Sequence, residues 1–169
     1  MLRLFFAPLP AAVRCRTLKN MNTCAATRLD ELLQRLRKAG HRLTPQRVAI
    51  VRQLLERDDH PSVEQLHTAI LAEFPTTSLA TVYKTIHLLK QLGEVLELGF
   101  GELGSRYDGR HPRPHPHLIC TRCGSITDPP CPDDEVDALA SRIAKQSGFA
   151  VSSHRFDLFG LCPACRARS

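Results

Sequence analysis

Two C-x-x-C pairs, Cys120-Thr-Arg-Cys123 and Cys162-Pro-Ala-Cys165, lie far apart in the second half of the 169-residue chain. Two such knuckles are what four thiolates around one tetrahedral zinc ion require, and closing them on one ion pins the end of the chain back against whatever carries Cys120. A site of that kind is closed and structural. It supplies folding free energy that so small a segment cannot draw from a core of its own. The seven cysteines are an odd number and no secretory signal with a cleavage site is visible, so metal thiolates in a reducing cytoplasm fit better than a disulfide framework. Cys15 and Cys24 have no evident role, and Cys131-Pro132 has the form of a haem-regulatory dipeptide without further support.

Charge divides the chain. Residues 1–50 hold ten Lys and Arg against two acids, while the remainder holds thirteen against fifteen. A basic front half favours a polyanionic partner through phosphate neutralisation and steering. The longest apolar run, near Leu4 to Val13, is too short and too broken by proline to span a bilayer. Residues 1–26 are expected to be a disordered or mis-assigned extension outside the fold, the first twenty of them preceding an alternative translation start at Met21.

From Thr27 the apolar spacing turns helical, with Leu29, Leu32, Leu33 and Leu36 on one stripe and Gly40 as the stop. A second helix has Thr44 as N-cap and Pro45 at its first position. A third opens at Ser62 in capping-box form, Ser62-Val63-Glu64-Gln65, and runs to about Glu73. The fourth starts at Ser78 and ends at Gly93, with Leu79, Val82, Ile86 and Leu89 inward and Ala80, Thr81, Lys84, His87 and Gln91 outward. Short strands around Glu94–Leu98 and Ser105–Tyr107, joined by Phe-Gly-Glu-Leu-Gly, complete a winged helix-turn-helix. The expected class is α+β: a DNA-binding domain over 27–108, a hinge over 109–116, and a small α/β dimerisation domain over 117–169 with the four-cysteine zinc site. In that last domain the pattern predicts strands near His117–Cys120 and Gly124–Asp128, a helix about Asp133–Gln146, and a strand from Phe149 to Leu158.

The hinge runs straight into His-Pro-Arg-Pro-His-Pro-His, residues 111–117. In extended chain His115 and His117 share a face while Cys120 looks the other way, so one ion cannot readily take both sets. Pro114 and Pro116 lack backbone donors and belong at a sheet edge or just outside one. Asp108 and Asp128 are nearby carboxylates. Nitrogen and oxygen ligands suit iron(II), manganese(II) or zinc; the competing reading is a set of exposed histidines in a polar linker.

Tyr83 and Lys84 lie early in the fourth helix, where a recognition helix presents side chains to the major groove. Tyr83 is a candidate DNA contact, with packing on the helix flank as its competing reading; Thr81, Lys84 and Arg47 are candidate phosphate or base contacts and Arg42 a phosphate contact. His41, His67 and His87 are expected at the surface.

The succession Arg42-Leu-Thr-Pro-Gln-Arg47, His60-Pro-Ser, Ala80-Thr-Val-Tyr-Lys84, Ser105-Arg-Tyr-Asp108, His115-Pro-His-Leu-Ile-Cys120-x-x-Cys123-Gly and Phe159-Gly-Leu-Cys162-x-x-Cys165 resembles the Fur family of bacterial metal-responsive repressors. The resemblance runs from Thr27 to Ala167, with the pieces in that family's order and spacing. It implies a cytoplasmic homodimer with a winged helix on an operator in double-stranded DNA. It also implies a regulatory metal between the domains held by His60, Asp108, His115, His117 and Asp128. Aspartate rather than glutamate at 108 and 128 is similar to the peroxide-sensing PerR branch. There iron(II) is the reactive ion, manganese(II) an alternative, and the imidazoles of His60 and His115 the oxidation targets. A further metal site of the family is reduced to Glu135 and His154, because Pro114 and Pro116 replace its usual ligands. The alternatives are an iron- or zinc-uptake regulator without peroxide chemistry, a metallohydrolase using the His/Asp set, and a zinc-ribbon interaction protein with no regulatory metal. Neither H-x-E nor HExxH occurs, which excludes zinc deaminase and zincin chemistry.

Overall fold

The computed structural model describes residues 21–99, 104–130 and 133–168. Most of the expected Phe-Gly-Glu-Leu-Gly connection, residues 1–20, and the Cys131-Pro132 dipeptide lie outside the described residues. Four helices come first: α1 (Met21–Lys38), α2 (Pro45–Glu56), α3 (Val63–Leu71) and α4 (Leu79–Gln91). Their starts follow from local chemistry. The Thr44 hydroxyl accepts the Arg47 N–H at 3.2 Å and Pro45 fills the first helical position, where no donor is missed. Ser62 and Gln65 satisfy one another's backbone N–H groups in a capping box. Ser78 stands at the N-cap of α4 but makes no capping bond; its hydroxyl meets that of Thr81 at 3.0 Å.

Helix α1 begins at Met21, ahead of the expected start at Thr27, so residues 21–26 are helical and not extension. The core of this unit joins Leu32 and Leu36 to Ile50, Leu54, Leu66, Ile70, Val82, Ile86 and Leu89. Each such side chain contributes about 1.5–3 kcal/mol on burial. Thr85 and Leu88 are buried on α4 as well, while Leu79 stays exposed at the helix start. Glu94, 3% exposed, takes ion pairs from Arg28 at 2.8 Å and Arg35 at 2.5 Å, tying α1 to the chain that follows α4. That chain forms an antiparallel hairpin of β1 (Leu96–Gly99) and β2 (Ser105–Asp108), with Leu96 opposite Asp108, which is the wing.

The second unit is a three-stranded sheet of order β4-β3-β5, where β3 is Pro116–Cys120, β4 Ile126–Thr127 and β5 Phe156–Gly160. Helix α5 (Asp133–Ser147) carries the chain from one edge to the other, as the parallel β3–β5 pair requires. Strand β3 is therefore central, and Pro116 is its first residue rather than part of a hinge or an edge. It is tolerated because β4 pairs only from Leu118 onward. The same prolines shorten β5: Phe156 pairs with Pro116, and upstream of it the neighbouring chain lacks donors at Pro112 and Pro114, so the alternation that begins at Phe149 makes no strand there. The chain ends in a short helix, α6 (Pro163–Arg166).

The units meet where Leu98 and Leu96 of the wing pack on Ile119 and Ile126 of the sheet. The connection is tight at Gly109, where an added Cβ would fall 2.7 Å from Cγ and 2.8 Å from Cδ2 of Leu54, itself buried in the core. Gly109→Ala is expected to cost about 1–3 kcal/mol through overpacking. Thermal denaturation should show a fall of at least ~2 °C. Gly99→Ala, where nothing lies within 4 Å of the added carbon, serves as the control.

Candidate metal centre

The four cysteines of the two knuckles come together. Their sulfurs lie within 4.8 Å of one another, none is in a disulfide, and Cys123 Sγ is 3.8 Å from Cys162 Sγ. A zinc–sulfur distance of about 2.3 Å gives a tetrahedral edge of about 3.8 Å, so the spacing fits a zinc thiolate centre. Cys120 closes β3, and its sulfur accepts the Cys162 N–H at 3.3 Å; Cys162 caps α6 by accepting the Cys165 N–H at 3.4 Å. The backbone N–H of Cys162, with that of Cys123, pulls the Cys120 thiol down to about 6. Cys165, hydrogen-bonded to Cys162 and desolvated, is pushed up to about 12. Four crowded sulfurs cannot all ionise unaided, and a dication removes that conflict.

The second cluster lies between the two units, and five residues at four elements, α3, β2, β3 and β4, build it. His60 precedes Pro61 and the Ser62 cap of α3. Asp108 ends β2, His115 precedes β3, His117 lies within β3, and Asp128 follows β4. The Tyr107 N–H donates to the Pro61 carbonyl at 3.1 Å, and this bond brings the His60 loop beside β2. His60 has φ of +50°, the one non-glycine residue with positive φ among the described residues. Such a conformation costs of order 1–3 kcal/mol and persists only where its surroundings hold it.

Asp128 Oδ1 is the hub. It lies 3.0 Å from His60 Nε2, 3.4 Å from His115 Nε2 and 3.9 Å from His117 Nε2. Asp108 Oδ2 is 3.8 Å from His60 Nε2 and 3.5 Å from His115 Nε2. Ligand distances of about 2.0–2.2 Å put neighbouring donors about 3.0–3.5 Å apart, close to these values. All five atoms are buried and none is in hydrogen-bonding alignment with a partner. Buried polar atoms are rarely left so; a cation would satisfy His60, His115, His117 and Asp128, whose ligand atoms all lie within 4.8 Å of one another, with Asp108 beside His60 and His115. His115 Nδ1 lies 2.8 Å from the Arg113 carbonyl and His117 Nδ1 3.4 Å from Asp157 Oδ1, which turns both Nε2 lone pairs toward the centre.

Burial opposes charge on His115, but contact with Asp128, the Arg113 carbonyl and Asp108 outweighs it and raises the imidazole to about 9. Asp128 is desolvated too, yet His115 and His60 hold it well below the usual carboxylate range. His117, buried and facing the charge on His115, is pushed down. Ionised Asp128 and charged His115 thus face one another at the centre, where a metal ion could take the place of the His115 proton.

Two further residues join this region. Asp157 is the register partner of His117 across β3 and β5; a strand placed too early in the sequence hides that pairing. His111 approaches Asp128 Oδ2 at 3.8 Å through Nδ1. Its signal lies in the same histidine-proline run, four residues before His115 and so on the same face of an extended segment, but the ligand set implied by the family resemblance leaves it out. Glu135 and His154 do not form a cluster: His154 lies 3.5 Å from Asp137, and no group of three metal-ligating residues occurs there among the described residues.

On the helical unit, Thr81, Tyr83 and Lys84 lie in the first turns of α4, with Tyr83 and Lys84 exposed. Tyr83, 47% exposed, donates its hydroxyl to Glu64 of α3 at 2.7 Å. Arg47 donates to the Arg42 carbonyl, joining the start of α2 to the loop before it. His67 is not free at the surface, because its Nε2 meets the Thr77 carbonyl at 2.7 Å. No helix among the described residues is long and apolar enough to cross a membrane.

Comparison with known proteins agrees with this geometry. The model of the ferric uptake regulator family matches residues 38–159. The peroxide-responsive repressor PerR of Staphylococcus epidermidis is 40% identical over 139 residues, 82% of this chain and 90% of that protein. Among solved structures, the ferric uptake regulator Fur of Helicobacter pylori, described as having three functional metal binding sites, superposes with a TM-score of 0.70 at 25% identity, over 84% of this chain and 93% of that one. A zinc uptake regulator complexed with zinc and DNA gives a TM-score of 0.63 at 25% identity, over 85% of this chain and 96% of that one. The matched span takes in α2 to α4, the wing, β3, β4 and all but the last residue of β5, and on that basis the chain belongs to the ferric uptake regulator family.

Proposed function

We propose that this regulator is a homodimeric, metal-dependent repressor that senses peroxide through iron(II). The carrying observation is the convergence of five buried, unpartnered ligand atoms contributed by both units, with His60 from the helical unit among them. The cluster of Cys120, Cys123, Cys162 and Cys165 is read as the structural zinc site. The His60, Asp108, His115, His117 and Asp128 cluster is read as the regulatory site, for iron(II) or manganese(II). Its mixed nitrogen and oxygen donors suit those ions, and the name of the staphylococcal relative supports the peroxide reading.

His60 and Asp108 belong to the DNA-binding unit and His115, His117 and Asp128 to the sheet unit, so engaging them together fixes how one sits on the other. That orientation spaces two recognition helices for successive half-sites on an operator. Moving a population from 1:99 to 99:1 needs about 5.5 kcal/mol of differential affinity. Two sites per dimer share it at a little under ~3 kcal/mol each, the stabilisation expected at about 100 times the dissociation constant. Iron(II) bound there would act as the catalyst, lending an electron to hydrogen peroxide and recovering it, while an adjacent imidazole of His60 or His115 is the net two-electron reductant: one peroxide oxygen would replace the hydrogen on a ring carbon as hydroxyl, and the other would leave with that hydrogen as water. The altered ring no longer presents the same donor, the two units come apart and the operator is released. Arg42, Arg47, Thr81 and Lys84 are the proposed DNA contacts, with Tyr83 positioning α3 against α4 through Glu64.

The dimer reading rests on the sheet face opposite His117. Leu118, Phe156 and Leu158 are exposed there, with Leu139 and Ile143 exposed on α5. A three-stranded sheet with so much apolar surface open calls for a covering partner, and a second copy supplies a matching face. Leu158→Asp is expected to halve the sedimenting mass without loss of the zinc.

The central test is a mobility-shift titration on zinc-containing protein stripped at the histidine cluster, with DNA selected from a random double-stranded pool. Iron(II) and manganese(II) should each tighten binding by about 100-fold. Peroxide should then release only the iron form, with one added oxygen at His60 or His115 by mass spectrometry. Release of the manganese form as well, or release without that oxygen, refutes the peroxide reading. Metal-independent DNA binding by the unmodified protein refutes the switch itself.

A further inference from the structure

His111 is not one of the five residues of the regulatory cluster, yet it stands at its mouth. A cleft of about 380 Å³ between the two units is lined by His60, Asp108, His111 and Asp128, with Asp58 and Asp59 on its rim. The His111 side chain is 65% exposed, against 3% for His60 and 2% for His117. Its backbone is fixed, because its N–H donates to Asp108 Oδ1 at 3.0 Å beside that of Arg110 at 2.7 Å. Asp108, His111, His115 and Asp128 each bring one ligand atom within 4.8 Å of the others.

We infer that these four residues form a second, outer position for a divalent cation, one that holds the ion without engaging His60. The two carboxylate oxygens of Asp128 face different ways: Oδ1 toward His60, His115 and His117, Oδ2 toward His111 Nδ1 at 3.8 Å. Asp108 Oδ2 and His115 Nε2, both buried and unpartnered, are reachable from either side. His115 can serve only one ion, because its Nδ1 faces the Arg113 carbonyl at 2.8 Å and Nε2 is its sole available donor. Inner and outer positions are thus alternatives, not a two-ion centre. The outer one trades the two most buried imidazoles for one that solvent reaches. A cation there binds Asp108 and the sheet unit but leaves the His60 loop, and with it the start of α3, unclamped. Metal can be captured before the His60 loop is locked, and advancing inward means exchanging His111 for His60 and His117.

This inference rests on the proposed regulatory site, and the experiment separates the two. Zinc-containing full-length protein is titrated with manganese(II), free ion being read from its electron paramagnetic resonance spectrum and folding from circular dichroism. His60 is replaced by Asn, which tolerates positive φ, and in parallel by Gly, which also does and brings no donor. Wild type is expected to bind manganese, and His111→Ala to bind it within about threefold of wild type, since the inner set is intact. His60→Asn and His60→Gly should still bind one ion per chain, more weakly, and adding His111→Ala to either should weaken binding at least about tenfold further, the scale of losing one ligand's support. If adding His111→Ala to the His60 variants changes nothing, or if those variants bind no manganese while wild type does, the outer position is overturned and the regulatory site stands. If folded wild type binds no manganese, the regulatory reading falls first.

Discussion

The structure depends on one carboxylate. Asp128 stands where the sheet unit faces the helical unit, and three imidazoles point at its Oδ1. Desolvating so many polar atoms without hydrogen bonds would cost several kcal/mol in sum. What offsets part of that cost in the metal-free chain is the attraction between ionised Asp128 and protonated His115. A dication does the same work better, because it meets every donor at once. The cluster is therefore a weakness of the fold without an ion and, on the proposed reading, the source of its response.

The thiolate cluster works on a different problem. The sheet has three strands, one only two residues long, and its core contribution is little more than Ile119 and Ile126. Such a sheet does not hold itself together by burial. Joining the end of β3 to α6 through four sulfurs fixes β5 beside β3, and with it the pairing of His117 with Asp157. The closed cluster thereby sets the orientation of a ligand in the open one. Strand direction keeps the two apart, since His117 and Cys120 project to opposite faces of β3.

Much of this was legible in the sequence, and the parts that were not share a cause. Caps and periodicity are local: Thr44-Pro45, Ser62 with Gln65 and the stripe through Val82, Ile86 and Leu89 define their helices within a few residues. The cysteine pairs carry a geometry that tolerates almost any intervening chain. Pairing across a sheet is not local. Phe149 to Leu158 alternates as a strand should, yet β5 begins only where Pro116 gives it a partner. Asp157 could not be found until that register was known. His111 sits in the same histidine-proline run as His115 and His117, but its approach to Asp128 depends on the turn made by Asp108 and Gly109, which no spacing rule contains. Glu94, buried under two arginines from α1, likewise depends on contacts between residues far apart in sequence.

His60 joins the local chemistry to the global response. A residue before proline favours extended backbone, whereas His60 is held at φ of +50°. Nothing in helix capping demands this, since Ser62 and Gln65 complete the α3 cap without it. The left-handed turn instead directs the imidazole out of its own unit and toward Asp128, while Tyr107 secures the following carbonyl. The strain of order 1–3 kcal/mol is comparable to the share of switching free energy required of each site. Contacts across the cluster hold His60 in this conformation, and when they weaken, the strain favours withdrawal of the loop. The loop is thus biased toward release, and the cluster must overcome that bias. A regulator built this way opens when a single donor is lost, because the local backbone already favours the open arrangement.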